Sequence, residues 1–272
     1  MSDRIVEMFE RTRAEGRPAL ILFVPASWPE PDATVEIVRA AVAGGADAME
    51  LGLAFSDPQA DGPTNQAAYQ QALAQGANAE TLFAAARELR ASGVSVPLLV
   101  MGYFNPLLAY GVGRFVRDAA DAGVDGLIIV DAPPEEAGEL ELLAREAGLH
   151  VVYLLAPTST DERIRLVAEH ASGFIYCVSV TGTTGARGEL SEELPASLAR
   201  VRERTDLPLA VGFGISKREH VEAIGEMADA AVVGSAFVTM VAEAEVSNRP
   251  ERVRAFVEGL TGRDSGRVPA AE

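Results

Sequence analysis

Eight short apolar runs, each followed by a segment of helical period, constrain this chain more than any other feature. The runs are ALILFVPA, DAMELGL, PLLVMGY, GLIIVDA, HVVYLLAP, FIYCVSV, LPLAVGFG and AAVVGSAF. Most are nearly continuous in apolar character, the pattern of parallel strands covered on both faces. Between them lie segments such as DATVEIVRAAVAGGA, GRFVRDAADAGV and KREHVEAIGEMA. Their apolar residues recur at three- and four-residue spacing, so they read as amphipathic helices. Eight β-α units along 272 residues match a closed (β/α)8 TIM barrel, a fold of about 250 residues. An open doubly wound sheet is the second choice. No compositional shift marks another domain, so residues 1–272 are read as one barrel domain whose tail frays from about residue 262. An extra amphipathic helix, MSDRIVEMFERTRAEG, precedes the first strand. A long insertion, DPQADGPTNQAAYQQALAQGANAE, separates the second strand from its own helix. It is expected to hold a short additional helix and to act as a binding loop or lid.

Charge and cysteine usage narrow the function classes. The chain carries 23 basic against 40 acidic residues, a net charge of -17, with no Lys/Arg run. Such a chain repels nucleic acid and anionic membrane. A small anion remains a suitable ligand, because backbone amides bind one without net positive charge. The single cysteine, Cys177, forbids an internal disulfide and a four-thiolate zinc site, and reads as a small buried hydrophobe. The N-terminal helix lacks the apolar core of a signal peptide, and no apolar segment approaches a membrane span. A reducing cytoplasm is the simplest compartment. His150, His170 and His220 are scattered, the first before the fifth strand and the others in helical segments. They read as surface or helix-end residues, and no metal or cofactor is called for.

The acids raise the chemical question. Glu50 falls inside the second strand, flanked by Met49, Leu51 and Leu53. A carboxylate buried without a partner responds with a raised pKa, which suits it to general acid/base work. The alternative is a salt bridge or a cap. Asp61 sits in ADGP and Asp57 in SDPQ, and on spacing alone both read first as turn-formers through Asx hydrogen bonds. Asp131 closes the fourth strand and lines the site or caps the following helix at PPEE.

Three glycine-bearing turns follow the last strands: SVTGTTGARG, VGFGIS and VVGSAF. Glycine lets backbone approach a ligand closely. Loops after the seventh and eighth strands, with a short helix N-terminus, are a common barrel phosphate site. No Walker lysine motif or dinucleotide glycine fingerprint is present. Phe23, Tyr103, Tyr176 and Phe213 sit on strands or at their ends, where packing is the default and the walls of an apolar cavity the alternative. Together these features describe acid/base chemistry on a small phosphorylated substrate.

The stretch ELGLAFSDPQADGPTNQ resembles the signature of the tryptophan synthase alpha chain family. The resemblance extends over nearly the whole chain through MGYFNPLLAYG, DAPPEE, TGTTGAR, GFGIS and VVGSAF. It implies a lyase of tryptophan biosynthesis that cleaves indole-3-glycerol phosphate to indole and glyceraldehyde 3-phosphate. By that similarity Glu50 is the acid/base and Asp61 holds the indole N–H. Phosphate rests on amides around Gly185, Gly214, Gly234 and Ser235, beside Thr184, while Phe23, Tyr176 and Phe213 wall the substrate. The resemblance also implies a pyridoxal-phosphate beta chain as partner in an alpha2beta2 assembly, and loops after strands two and six that close over the site. Two departures stand out. The turn after strand one reads VPASWPEPD where the family carries Gly-Asp-Pro, and Ala54 stands where Pro is usual. They leave open a stand-alone lyase releasing free indole. A non-catalytic partner of a beta chain, or a phosphate-sugar isomerase on the same fold, fits the retained Glu50 and Asp61 less well.

Overall fold

The computed structural model describes residues 3–179, 193–212 and 214–263. Eight parallel strands close a barrel in chain order. They are β1 (Ala19–Pro25), β2 (Ala48–Gly52), β3 (Leu98–Gly102), β4 (Gly126–Ile129), β5 (His150–Leu155), β6 (Ile175–Val178), β7 (Leu209–Gly212) and β8 (Ala230–Val233). The register places Phe23 of β1 beside Glu50 of β2, and Glu50 beside Leu99 of β3. Pairing of Ile21 with Val232 closes the ring. The continuous apolar runs are explained by burial: every residue of β1, β2, β3, β4, β7 and β8 is buried. Closure of the ring through β1 and β8 sets the open-sheet alternative aside.

The helices are α1 (Arg4–Ala14), α2 (Ala33–Ala43), α3 (Pro63–Ala74), α4 (Ala79–Ala91), α5 (Phe104–Tyr110) and α6 (Val112–Asp121). They continue as α7 (Gly138–Ala147), α8 (Asp161–His170), α9 (Leu194–Arg202), α10 (Arg218–Gly225), α11 (Ser235–Glu243) and α12 (Arg249–Thr261). The extra N-terminal helix is α1, capped by the Asp3 side chain on the Val6 amide. The insertion after β2 contains α3, a full 12-residue helix and longer than the short one expected. It opens on Gly62 and Pro63, a residue whose missing N–H is no loss at a helix start. The helix proper to β2 is α4, which begins with a reciprocal Asn78–Thr81 capping box.

At the N-terminal end of the barrel, aspartates at the feet of strands are each paired with arginine. Asp47 accepts from the Leu20 amide at 2.9 Å and from both terminal nitrogens of Arg17 at 2.7 and 2.9 Å. Asp125 accepts from the Leu98 amide at 2.8 Å, from Arg90 at 2.6 Å and from Arg4 at 2.8 Å. Asp229 accepts from the Leu209 amide at 2.8 Å and from Arg202. Burial opposes the charge on Asp47, but Arg17, the Leu20 amide and Arg263 outweigh it and hold the carboxyl below its ordinary range. This end of a barrel serves stability. The opposite end treats its acids differently.

Candidate active site

Glu50 is 0% exposed in the middle of β2. Neither of its carboxylate oxygens has a hydrogen-bond partner among the described residues. Burial first, and the charge of Asp61 second, push its pKa up to about 8. An acid in this state holds its proton at neutral pH and can exchange it. Among the described residues no arginine reaches it, so the salt-bridge alternative finds no support there.

Asp61 comes from the loop between β2 and α3 and is 4% exposed. The Tyr103 hydroxyl, just past β3, donates to its Oδ2 at 2.7 Å, and the Asn65 amide, in the first turn of α3, donates to its Oδ1 at 3.0 Å. Tyr103 also accepts from the Ala60 amide at 3.0 Å, so one phenol pins both the loop and its acid. Its ring packs against Phe55 with centroids 5.4 Å apart. Burial raises the pKa of Asp61, while the Asn65 and Tyr103 donors oppose that rise. Asp61 is therefore a buried, oriented carboxyl and more than a turn-former. Asp57 stays exposed in its turn and accepts from Gln59 at 3.2 Å.

Both acids face one cavity. Its lining includes Phe23, Glu50, Ala60, Asp61, Asn65, Met101, Val130, Tyr176, Gly214, Ile215, Gly234 and Ser235, around an empty volume of about 500 Å³ that includes its open mouth. Two glycines allow the aromatic walls to close in. A Cβ on Gly52 would lie 2.8 Å from the Phe23 ring and 2.9 Å from the Tyr69 hydroxyl; one on Gly212 would lie 2.1 Å from the Tyr176 hydroxyl. Gly214 has φ +85°, a left-handed conformation that favours glycine. Gly234 and Ser235 form the start of α11, where no side chain caps the helix. Free amides at such an end suit an anion.

Of the ten site residues expected from sequence, seven line this cavity: Phe23, Glu50, Asp61, Tyr176, Gly214, Gly234 and Ser235. Thr184, Gly185 and Phe213 lie outside the described residues. Asp131 needs correction. It is exposed and accepts from the Phe104 amide at 2.6 Å, so it caps α5, a helix of the preceding unit, and neither lines the cavity nor caps its own following helix. His150 opens β5 instead of preceding it, and His220 lies in the first turn of α10, a helix-end residue as expected, but buried. Cys177 is buried as expected, which pushes its thiol up to about 12. Asn65, Met101, Val130 and Ile215 are site residues that sequence reasoning missed. Asn65 lies in the first turn of α3, directly after the loop that carries Asp61.

The divergent turn after β1 is anchored by side chains. Trp28 Nε1 donates to Gln71 Oε1 at 2.9 Å, and Gln71 and Gln75 donate to the Pro29 carbonyl at 3.0 and 2.9 Å. Ser27, at φ 57°, donates its amide to Thr34 Oγ1 at 2.8 Å. Arg249 grips Glu30 with two hydrogen bonds of 2.6 and 3.0 Å. The turn is thus tied to α3 and α12.

The family model for the tryptophan synthase alpha chain matches residues 9–262. A tryptophan synthase alpha chain of Roseiflexus sp. (strain RS-1) is 49% identical over 95% of this chain and 99% of its own length. A tryptophan synthase of Saccharomyces cerevisiae is 42% identical over 96% of this chain, which corresponds to 37% of that longer protein. Among solved structures, Mycobacterium tuberculosis tryptophan synthase superposes with a TM-score of 0.88 at 37% identity, covering 96% of this chain and 98% of the other. With matching sequence and fold, the chain belongs to the tryptophan synthase alpha chain family.

Proposed function

We propose that the chain cleaves indole-3-glycerol phosphate into indole and glyceraldehyde 3-phosphate, as the lyase half of a tryptophan synthase. The observation that carries this reading is Glu50, a buried acid with no hydrogen-bond partner among the described residues, facing a cavity beside the oriented carboxyl of Asp61. Protonated Glu50 gives its proton to C3 of the indole ring, which becomes a cationic indolenine. The Glu50 carboxylate then takes the proton of the hydroxyl on the adjoining side-chain carbon. The C–C bond breaks, its electron pair returns to the ring, and the hydroxyl carbon becomes the aldehyde. Glu50 ends protonated as it began, so no net proton is consumed. Asp61 stabilises the cationic ring through its charge and the ring N–H, and at 4% exposure that charge is little screened by solvent. Tyr103 and Asn65 keep that charge in position. The phosphate lies over Gly214 and the start of α11, while Phe23 and Tyr176 flank the ring.

The relatives named above are tryptophan synthases and an alpha chain, which favours a beta chain as partner over a stand-alone lyase. The test is indole release from indole-3-glycerol phosphate by the purified chain, alone and with a tryptophan synthase beta chain. Slow release that the beta chain accelerates is the expected result. Fast release with no response to the partner would favour the stand-alone enzyme, and no release under either condition would overturn the lyase reading.

A further inference from the structure

Asn65 is 6% exposed and lines the same cavity. Its amide nitrogen donates to Asp61 Oδ1 at 3.0 Å. A carboxylate oxygen accepts, so the nitrogen must face Asp61 and the amide oxygen must point elsewhere. That oxygen is buried and has no partner among the described residues. Buried amide oxygens are satisfied as a rule, and an orphan beside a ligand cavity calls for a donor on the ligand.

The choice of donor follows from the arrangement. Both oxygens of Asp61 already accept one hydrogen bond each, from Asn65 and Tyr103. The indole ring offers a single donor, its N–H. The glycerol hydroxyls must approach Glu50, and the phosphate lies toward Gly214 and Ser235. The ring edge is then the part of the substrate left for the Asp61–Asn65 pair. We propose that Asn65 is a substrate-binding residue: its Oδ1 accepts the ring N–H together with Asp61, while its Nδ2 keeps Asp61 in place. This rests on the lyase reading given above. The amide accepts the N–H of the neutral ring already, so its loss registers in ligand affinity, and charge assistance strengthens the same bond in the cationic intermediate.

The test uses indole-3-propanol phosphate, which keeps the ring N–H and the phosphate but lacks the glycerol hydroxyls. Its partner probe is the benzothiophene counterpart, in which sulfur replaces N–H. Both are titrated calorimetrically into the full chain and into Asn65→Leu and Asn65→Ala. The wild type should bind the indole probe more tightly than the benzothiophene probe. The variants should weaken the indole probe by about five- to tenfold, the loss of one neutral hydrogen bond. They should change the benzothiophene probe less than about twofold. Equal weakening of both probes would overturn the inference and leave Asn65 a structural residue. Equal affinity of the two probes for the wild type would overturn it without any variant. Failure of both probes to bind the wild type, with no cleavage of indole-3-glycerol phosphate, would instead defeat the lyase reading itself.

Discussion

Glu50→Gln should make the chain more stable, and increasingly so as pH rises. The substitution preserves shape and removes the charge. In the folded chain the Glu50 carboxyl titrates at about 8 against an ordinary value of 4.5. Between those values the unfolded chain has released this proton while the folded chain retains it. Stability contributed by the site therefore falls as pH rises through that window. Each unit is worth roughly 1.4 kcal/mol, so the full penalty is about 5 kcal/mol, of which roughly 3 kcal/mol develops between pH 5 and pH 8. Glutamine has no charge to bury and escapes it. Urea unfolding of both proteins at pH 5, 6, 7 and 8, followed by circular dichroism, measures the difference at constant slope m. The gap in favour of Gln should widen by about 3 kcal/mol over this range, on the order of 10 °C in melting temperature. A gap that stays constant with pH would mean that Glu50 titrates as an ordinary carboxyl, and the reasoning from burial would fail.

Three further outcomes follow from the same geometry. The proposed reaction begins with protonated Glu50, so kcat/KM for indole release should fall tenfold per unit above about pH 8; a profile still rising at pH 9 would contradict this order of proton transfers. Tyr103→Phe removes the donor to Asp61 and the acceptor of the Ala60 amide. It should lower stability by about 1–2 kcal/mol and reduce kcat more than it raises KM, as thermal melts and steady-state kinetics will show. Gly212→Ala would place a Cβ 2.1 Å from the Tyr176 hydroxyl. It should cost about 2–3 kcal/mol in urea unfolding and weaken binding of a phosphorylated indole ligand by displacing the Tyr176 wall.

Much of this is legible in the sequence, for identifiable reasons. Strands buried on both faces must be apolar throughout, so the barrel announces itself as eight continuous runs. A carboxylate inside such a run stands out, and Glu50 was marked by that contrast alone. Asp61 was ambiguous because its ADGP setting satisfies ordinary turn chemistry. Its partners, Asn65 and Tyr103, come from α3 and from the loop after β3. Only the closed barrel brings Tyr103, 42 residues away, to the loop. Asp131 failed for the same reason: it caps a helix 27 residues earlier, a contact that no periodicity encodes. The length of α3 was underestimated because its alanine-rich sequence shows no strong apolar stripe. It is held instead by packing against β1 and α11. Sequence marks neither the arginine partners of Asp47, Asp125 and Asp229 nor the Asn65 oxygen that lacks a partner among the described residues. Both depend on which side chains the closed ring brings together.

The central claim is that Glu50 carries the proton of C–C cleavage. Its most direct test is the rate of indole release from indole-3-glycerol phosphate by Glu50→Gln, measured beside its affinity for indole-3-propanol phosphate. Release should fall at least a thousandfold while affinity stays within a few-fold of wild type, a loss of about 4 kcal/mol confined to the transition state. Near-normal release from a variant that still binds would contradict the claim.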